Sequence, residues 1–281
     1  MYLCDSAAAR LGDEMKRILF ASLAVFALAS GTAVAADLPA PAPDTFYKAP
    51  PPPPPTWTGC YINAGGGYGL FDAKHNVESA TTLAAITSTS DFGGQGWFGA
   101  AGGGCDYQFH LLSWDFVVGA FGDYDLMGLN GTSTSAVGTS GSVTEQSAWA
   151  GGARAGLLVT PTLLTYVNGG YTGTHIGQIN LASAFPPFAS NGTDIAASSH
   201  NGWFIGGGTE YALTYDWLPI RGLFWRNEYR FSTYQAADLP VVFTASGAAT
   251  GVATHSQYDI QTIATELVWR FNWSGPISTR Y

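Results

Sequence analysis

From Ile263 onward, every second residue of this chain reads Ile263, Thr265, Leu267, Trp269, Phe271, Trp273. The residues between them are Ala264, Glu266, Val268, Arg270 and Asn272. A strand sends successive side chains to opposite faces. Tyr258 to Trp273 therefore reads as a strand with one apolar, aromatic face and one face bearing both charge signs. Such a strand has two homes. In a soluble barrel the apolar face turns to a core. In a membrane barrel it meets lipid, and the polar face lines the lumen.

Composition favours the second home. Charged residues are only 11% of the chain, against roughly 25% in soluble domains. Mean hydropathy is just +0.09, and no run beyond the N-terminal one is apolar enough for a membrane helix. Backbone groups in lipid must pair internally, so a closed barrel is the remaining way to span. Net charge is −9, without the basic patch that nucleic-acid binding needs.

The N-terminal run is a leader. Met15-Lys16-Arg17 is a positive opening, Ile18 to Ala29 an apolar stretch of 12 residues, and Ala33-Val34-Ala35 a small-residue cleavage site. Cleavage is expected between Ala35 and Ala36, or one residue later. The expected layout is residues 1–14 as an extension upstream of a true start at Met15, 15–36 as signal peptide, 37–56 as a proline-rich periplasmic linker, and 57–281 as the barrel. The linker carries nine prolines between Asp37 and Pro55, six of them consecutive from Pro50. Such a run forms polyproline II and cannot join a ladder.

Eight strand-like runs follow: Gly59–Leu70, Gly96–Tyr107, Trp114–Met127, Ser147–Val159, Leu163–Thr174, Asn201–Tyr211, Gly222–Tyr234 and Tyr258–Trp273. Long polar connections (Phe71–Gln95, Gly128–Gln146, His175–His200, Gln235–Gln257) alternate with shorter ones. An even-stranded antiparallel up-and-down barrel has this rhythm, with short periplasmic turns and long external loops. One strand face carries Ile62, Tyr68, Leu70, Tyr124, Trp149, Trp203 and Trp225. The other carries Asp123, Arg154, Glu210, Arg226, Glu228, Arg230, Glu266 and Arg270. Charges facing lipid cost several kcal/mol near the midplane, so this second set is expected in the lumen. There it either fills the barrel as a static Arg–carboxylate network or plugs a gate that opens. Eight strands leave room only for side chains, which favours the static filling. The glycine runs Gly65–Gly67, Gly102–Gly104 and Gly206–Gly208 allow tight curvature. They lack the helix and Lys-Ser/Thr of a phosphate loop.

Several of these motifs together resemble a known family. The leader is followed by Ala-Asp-Leu-Pro, and Trp57-Thr58-Gly59-Cys60-Tyr61-Ile62 opens the first strand. Tyr166-Val167-Asn168-Gly169-Gly170-Tyr171, Asn227-Glu228-Tyr229-Arg230-Phe231 and Arg270-Phe271-Asn272-Trp273 come later. In this order they resemble the small outer-membrane β-barrel proteins of Gram-negative bacteria known as outer-membrane immunogenic or porin-family proteins, over roughly Met15 to Tyr281. The resemblance implies an eight-stranded barrel in the cell outer membrane, surrounded by lipid and lipopolysaccharide and inserted by the outer-membrane assembly machinery. It further implies envelope integrity and surface antigenicity, with a narrow porin for small solutes as the alternative. Surface ligands would bind through the long loops. Ser274 to Thr279 follow the last strand, so the assembly signal is expected to be internal.

Cys60 and Cys105 fall on the outward face near the periplasmic ends of strands one and two. The oxidising export route allows a cross-strand disulfide; two free thiols packed as small apolar residues are the other reading. The histidines His75, His110, His175, His200 and His255 lack metal-ligand spacing, and no nucleophile elbow is present. A Ser–His–acid site at the external mouth would have to use His175, His200 or His255 with Asp194 or Asp91. Neither an enzyme nor a cofactor is expected. N-terminal sequencing of the exported protein should return Ala36 or Asp37; a first residue of Met1 would refute the leader.

Overall fold

The computed structural model describes residues 55–135, 138–214 and 220–271. The expected leader, the Ala35–Ala36 cleavage site, the linker through Pro54 and the closing Asn272–Tyr281 lie outside them. Eleven strands run in chain order: β1 (Gly59–Ser79), β2 (Ser90–Leu111), β3 (Trp114–Thr134), β4 (Thr139–Thr160), β5 (Leu163–Ile176), β6 (Ile179–Ser183), β7 (Ser190–Ile195), β8 (Ser198–Ala212), β9 (Leu223–Tyr234), β10 (Ala237–Phe243) and β11 (Ala249–Phe271). Eight of them close an antiparallel ring in the order β1-β2-β3-β4-β5-β8-β9-β11, with β11 returning to β1. This is the up-and-down barrel that the alternating connections predict.

The walls run further than expected. Much of the four long connections is strand. β1 continues to Ser79, β2 begins at Ser90, and β3, β4 and β11 extend similarly. β6 pairs with β4 and with β7, and β10 pairs with β7 and with β11. Beyond the outer ends of β5, β8 and β9, these three short strands take their places. A second ring of eight, β1-β2-β3-β4-β6-β7-β10-β11, stands on the first.

A change of solvent explains why the alternation hides these extensions. On β1 the outward residues Ile62, Tyr68 and Leu70 give way to Asp72, Lys74 and Asn76, while the inward ones become Phe71, Ala73 and His75. On β11 the outward Trp269, Leu267 and Ile263 give way to Gln261, Asp259 and Gln257, and Ile260 and Tyr258 turn inward. Parity is unbroken along β1 and β11, whereas on β4 a bulge between Glu145 and Ser147 shifts it by one residue. On β1 and β11 only the polarity of the faces inverts, because the lower wall is bathed in lipid and the upper wall in water. A search for outward apolar residues therefore stops short on β1, β2, β3, β4 and β11, while the expected Gly222–Tyr234 matches β9.

The upper ring therefore has a core of soluble type. Phe71, Leu129, Val143, Ile176, Ile179, Tyr258 and Ile260 belong to one buried cluster, each such side chain worth about 1.5–3 kcal/mol of burial. Above it opens a chamber of about 180 Å³ lined by His75, Val77, Leu181, Ile195, Val241 and Val252 among others. Below it a second cluster, which includes Trp57, Tyr61, Leu164, Tyr166, Phe224 and Val268, fills the periplasmic mouth.

Two histidines near the upper ring, His75 on β1 and His200 at the outer end of β8, stand against aromatic rings, His75 at 5.1 Å from Phe92 and His200 at 5.0 Å from Tyr258. Burial lowers the pKa of both from the usual 6.5, opposed at His75 by Asp91 and at His200 by a hydrogen bond with the Gln235 backbone. An opened chain takes up protons below about pH 6.5 that the closed ring refuses. The contribution is complete above that pH and declines as pH falls below it. Amide protection relative to the intrinsic exchange rate at each pH should thus be weaker at the outer ends of β1 and β8 at pH 5 than at pH 7.5, and His75→Gln with His200→Gln should abolish the difference. Equal protection in the unsubstituted protein at both pH values would contradict this.

The lumen charge network as candidate functional site

Strand parity carries every charged residue expected in the lumen to the inside of the lower ring. Glu210 on β8 is its centre. It is fully buried and accepts hydrogen bonds from three guanidinium groups. Arg154 donates through Nη1 at 3.1 Å, Arg226 through Nε at 3.1 Å and Nη2 at 3.0 Å, and Arg270 through Nε at 3.0 Å and Nη2 at 2.7 Å. Asp106 on β2 closes the far side. It receives Arg154 Nε at 2.9 Å and Arg270 Nη1 at 2.7 Å.

A second group sits one step nearer the outer end. Arg230 forks onto Asp123 at 2.9 and 2.7 Å and also reaches Glu228 at 2.9 Å. Tyr166 donates to Glu228 at 2.7 Å, and Asn63 donates to Glu266 at 3.1 Å. Arg226 of the first group also donates to Glu266 at 3.3 Å, and Glu266 lines one small cavity with Asp123, Glu228 and Arg230. The structure thus brings together all eight of Asp123, Arg154, Glu210, Arg226, Glu228, Arg230, Glu266 and Arg270.

Aromatic faces complete the enclosure. Arg154, Arg226 and Arg270 lie 4.7, 4.8 and 4.9 Å from the Tyr61 ring centre. Arg230 lies 4.6 Å from the Phe204 ring. These are cation–π distances, and the attraction strengthens where water is excluded. Trp57 plugs the periplasmic side. Its indole donates to the Pro161 carbonyl at 3.2 Å, and its own carbonyl accepts from Arg270 at 3.2 Å.

Glycines on intervening strands let partners two strands apart meet. Gly119 on β3 pairs with Asp106 on one side and Arg154 on the other. A Cβ at Gly119 would strike the Asp106 carboxylate. Gly208 stands in the same way between Tyr166 and Glu228, where a Cβ would come within 2.9 Å of the Tyr166 hydroxyl.

Asp106, Tyr61, Asn63 and Tyr166 are the members that the reading of the sequence left out. Parity identifies all four, since Asp106 alternates with the outward Cys105 and Tyr61 with the outward Cys60. Trp57 lies outside any strand and has no such signal. The cysteines face each other across β1 and β2 and are joined by a disulfide, Cα–Cα 3.9 Å. The histidines are placed in strands rather than loops. His175 contacts Ser199, His255 contacts Asp238, and Asp194 instead accepts from Gln178; the imagined Ser–His–acid site is not assembled from them.

Removing one partner of a buried ion pair strands the others, at a cost of about 3–5 kcal/mol. Glu210→Gln should lower unfolding stability in lipid vesicles by about that much. Tyr61→Phe should be nearly silent, because the Tyr61 hydroxyl has no hydrogen-bond partner among the described residues and the ring face that the arginines use remains. Urea midpoints of the three proteins test this; a Glu210→Gln midpoint equal to that of the unsubstituted protein would contradict it.

No family model matches the chain. The 31 kDa outer-membrane immunogenic protein of Brucella melitensis biotype 1 is 29% identical over 208 residues, covering 72% of this chain and 83% of that protein. The protein of the same name from Brucella suis biovar 1 aligns identically. Among solved structures, Neisserial surface protein A has a TM-score of 0.35 at 12% identity, over 76% of this chain and 98% of its own. The attachment invasion locus protein of Yersinia pestis has a TM-score of 0.31 at 9% identity, over 75% and 99%. These scores are low, and the eight-stranded ring rests on its own strand pairings. With that ring, its outward aromatic wall and its likeness to the Brucella proteins, the chain is an outer-membrane β-barrel similar to the outer-membrane immunogenic proteins.

Proposed function

We propose that this outer-membrane surface protein is a structural barrel with a sealed lumen, neither a channel nor an enzyme. On this reading it contributes to envelope integrity, while its upper ring and loop tips form the surface that antibodies meet. The observation that carries the reading is the filling of the lumen. Between Asp123, Arg226, Glu228, Arg230 and Glu266 the cavity is about 20 Å³, room for about one water molecule. Below it, the Glu210 network and Trp57 leave the periplasmic mouth closed by buried side chains. Buried Arg–carboxylate forks are rigid, directional contacts, and here they tie β2, β3, β4, β8, β9 and β11 to one another across the lumen. Such bracing suits a wall element better than a gate.

Contact with membrane lipid and lipopolysaccharide follows from the exposed aromatic wall. Insertion by the outer-membrane assembly machinery, and surface ligands held by the loop tips, belong to the same proposal.

Planar-bilayer recordings test the sealed lumen. The mature barrel should be electrically silent, and Glu210→Ala combined with Arg226→Ala should admit small ions by opening the bracing. Steady unit conductance from the unsubstituted barrel would favour the narrow-porin reading instead.

A further inference from the structure

On the outer wall of the upper ring, three strands bring Glu78 of β1, Asp238 of β10 and His255 of β11 together. The ladder sets this arrangement. Asp238 stands directly opposite His255, and on the other side of β11 Asn76 stands opposite His255, with Glu78 two residues further along the same face of β1. One donor atom of each side chain lies within 4.8 Å of the other two.

Glu78 differs from its companions. It is only 5% exposed, and its Oε1 is buried with no hydrogen-bond partner among the described residues. The tip after β1 folds back over it, with Glu78 bridged to Ala85. A carboxylate oxygen held away from water with a lone pair that meets no donor is costly unless a hydrogen-bond donor or a cation reaches it. Asp238 and His255 lie on the solvent side, in contact with each other and open enough to admit an ion.

We propose that Glu78, Asp238 and His255 form a divalent-cation site of the kind that Zn²⁺ fills. Two carboxylates balance the charge of the ion, and an imidazole with carboxylate oxygens is a donor set that suits zinc. Three protein ligands leave a fourth tetrahedral position for water. Calcium asks for six to eight oxygens, and an imidazole does not supply one. The ion would clasp β10 to β1 and β11. That is where a clasp has most effect, because β10 has only 7 residues and its ladder to β11 slips register between Pro240 and Val242. Neither the site nor its test depends on a sealed lumen.

The test is calorimetric titration of the chelator-stripped mature protein in lipid nanodiscs with zinc chloride, and separately with calcium and magnesium chloride. One zinc per chain should bind, with no saturable heat from calcium or magnesium at the same concentration. Glu78→Gln and His255→Ala should each weaken zinc binding by about tenfold or more, since even loss of an outer-shell partner of a metal costs 10–100-fold. His110→Ala, at the periplasmic end, should leave it unchanged. Far-UV circular dichroism checks that each variant keeps the barrel. Absence of saturable zinc binding, zinc binding that survives both substitutions, or a preference for calcium would overturn the site.

Discussion

A single carboxylate gripped by three guanidinium groups is the contact on which the lower half of this barrel depends. Glu210 cannot be removed without leaving Arg154, Arg226 and Arg270 facing one another in a closed space. None of the three can turn outward, because the other side of the wall is lipid. The arrangement is therefore mutual constraint rather than a sum of separate ion pairs. Asp106 shares two of the same arginines, and Tyr61 offers its ring to all three. Glycines such as Gly119 are placed where the contacts must pass, so that backbone and network select the same residue.

The upper ring solves a different problem with the same strands. Once the wall leaves the membrane, charges can face outward and apolar side chains can fill the inside. Phe71, Leu129, Tyr258 and Ile260 then do for the upper ring what the arginine network does for the lower one. The short strands β6, β7 and β10 replace β5, β8 and β9 in this region, so the ring has no open edge. A closed ring offers no unpaired row of backbone groups to another chain, which suits a surface in contact with the outside.

Much of this was legible in the amino-acid sequence, for a physical reason. A strand has a period of two between bulges, so Arg154, Arg226 and Arg270 are on the inside as soon as Trp149, Trp225 and Trp269 are on the outside. The same rule reaches Asp106 and Tyr61, which a reading focused on the longest charged runs passes over. Strand ends were less legible. At Phe71 and Ile260 polarity changes face while parity does not, and polar outward residues such as Lys74 and Gln261 look like loop. Partner choice was not legible at all. That Arg270 meets Glu210, 60 residues earlier in the chain, depends on ring closure and stagger. Likewise Glu78, Asp238 and His255 share no local spacing and meet only through the β10–β11–β1 ladder. Trp57 lies beyond any periodic segment, and its place in the mouth follows from packing alone.

The central claim is that one buried carboxylate organises three arginines in a dry lumen. Solid-state NMR of the labelled barrel in lipid bilayers addresses it directly, through contacts between the Glu210 carboxyl carbon and guanidinium nitrogens. The account predicts contacts to Arg154, Arg226 and Arg270 together, with guanidinium protons that exchange slowly with water. A Glu210 carboxyl that contacts only one arginine, or guanidinium protons in rapid exchange with bulk water, would contradict it.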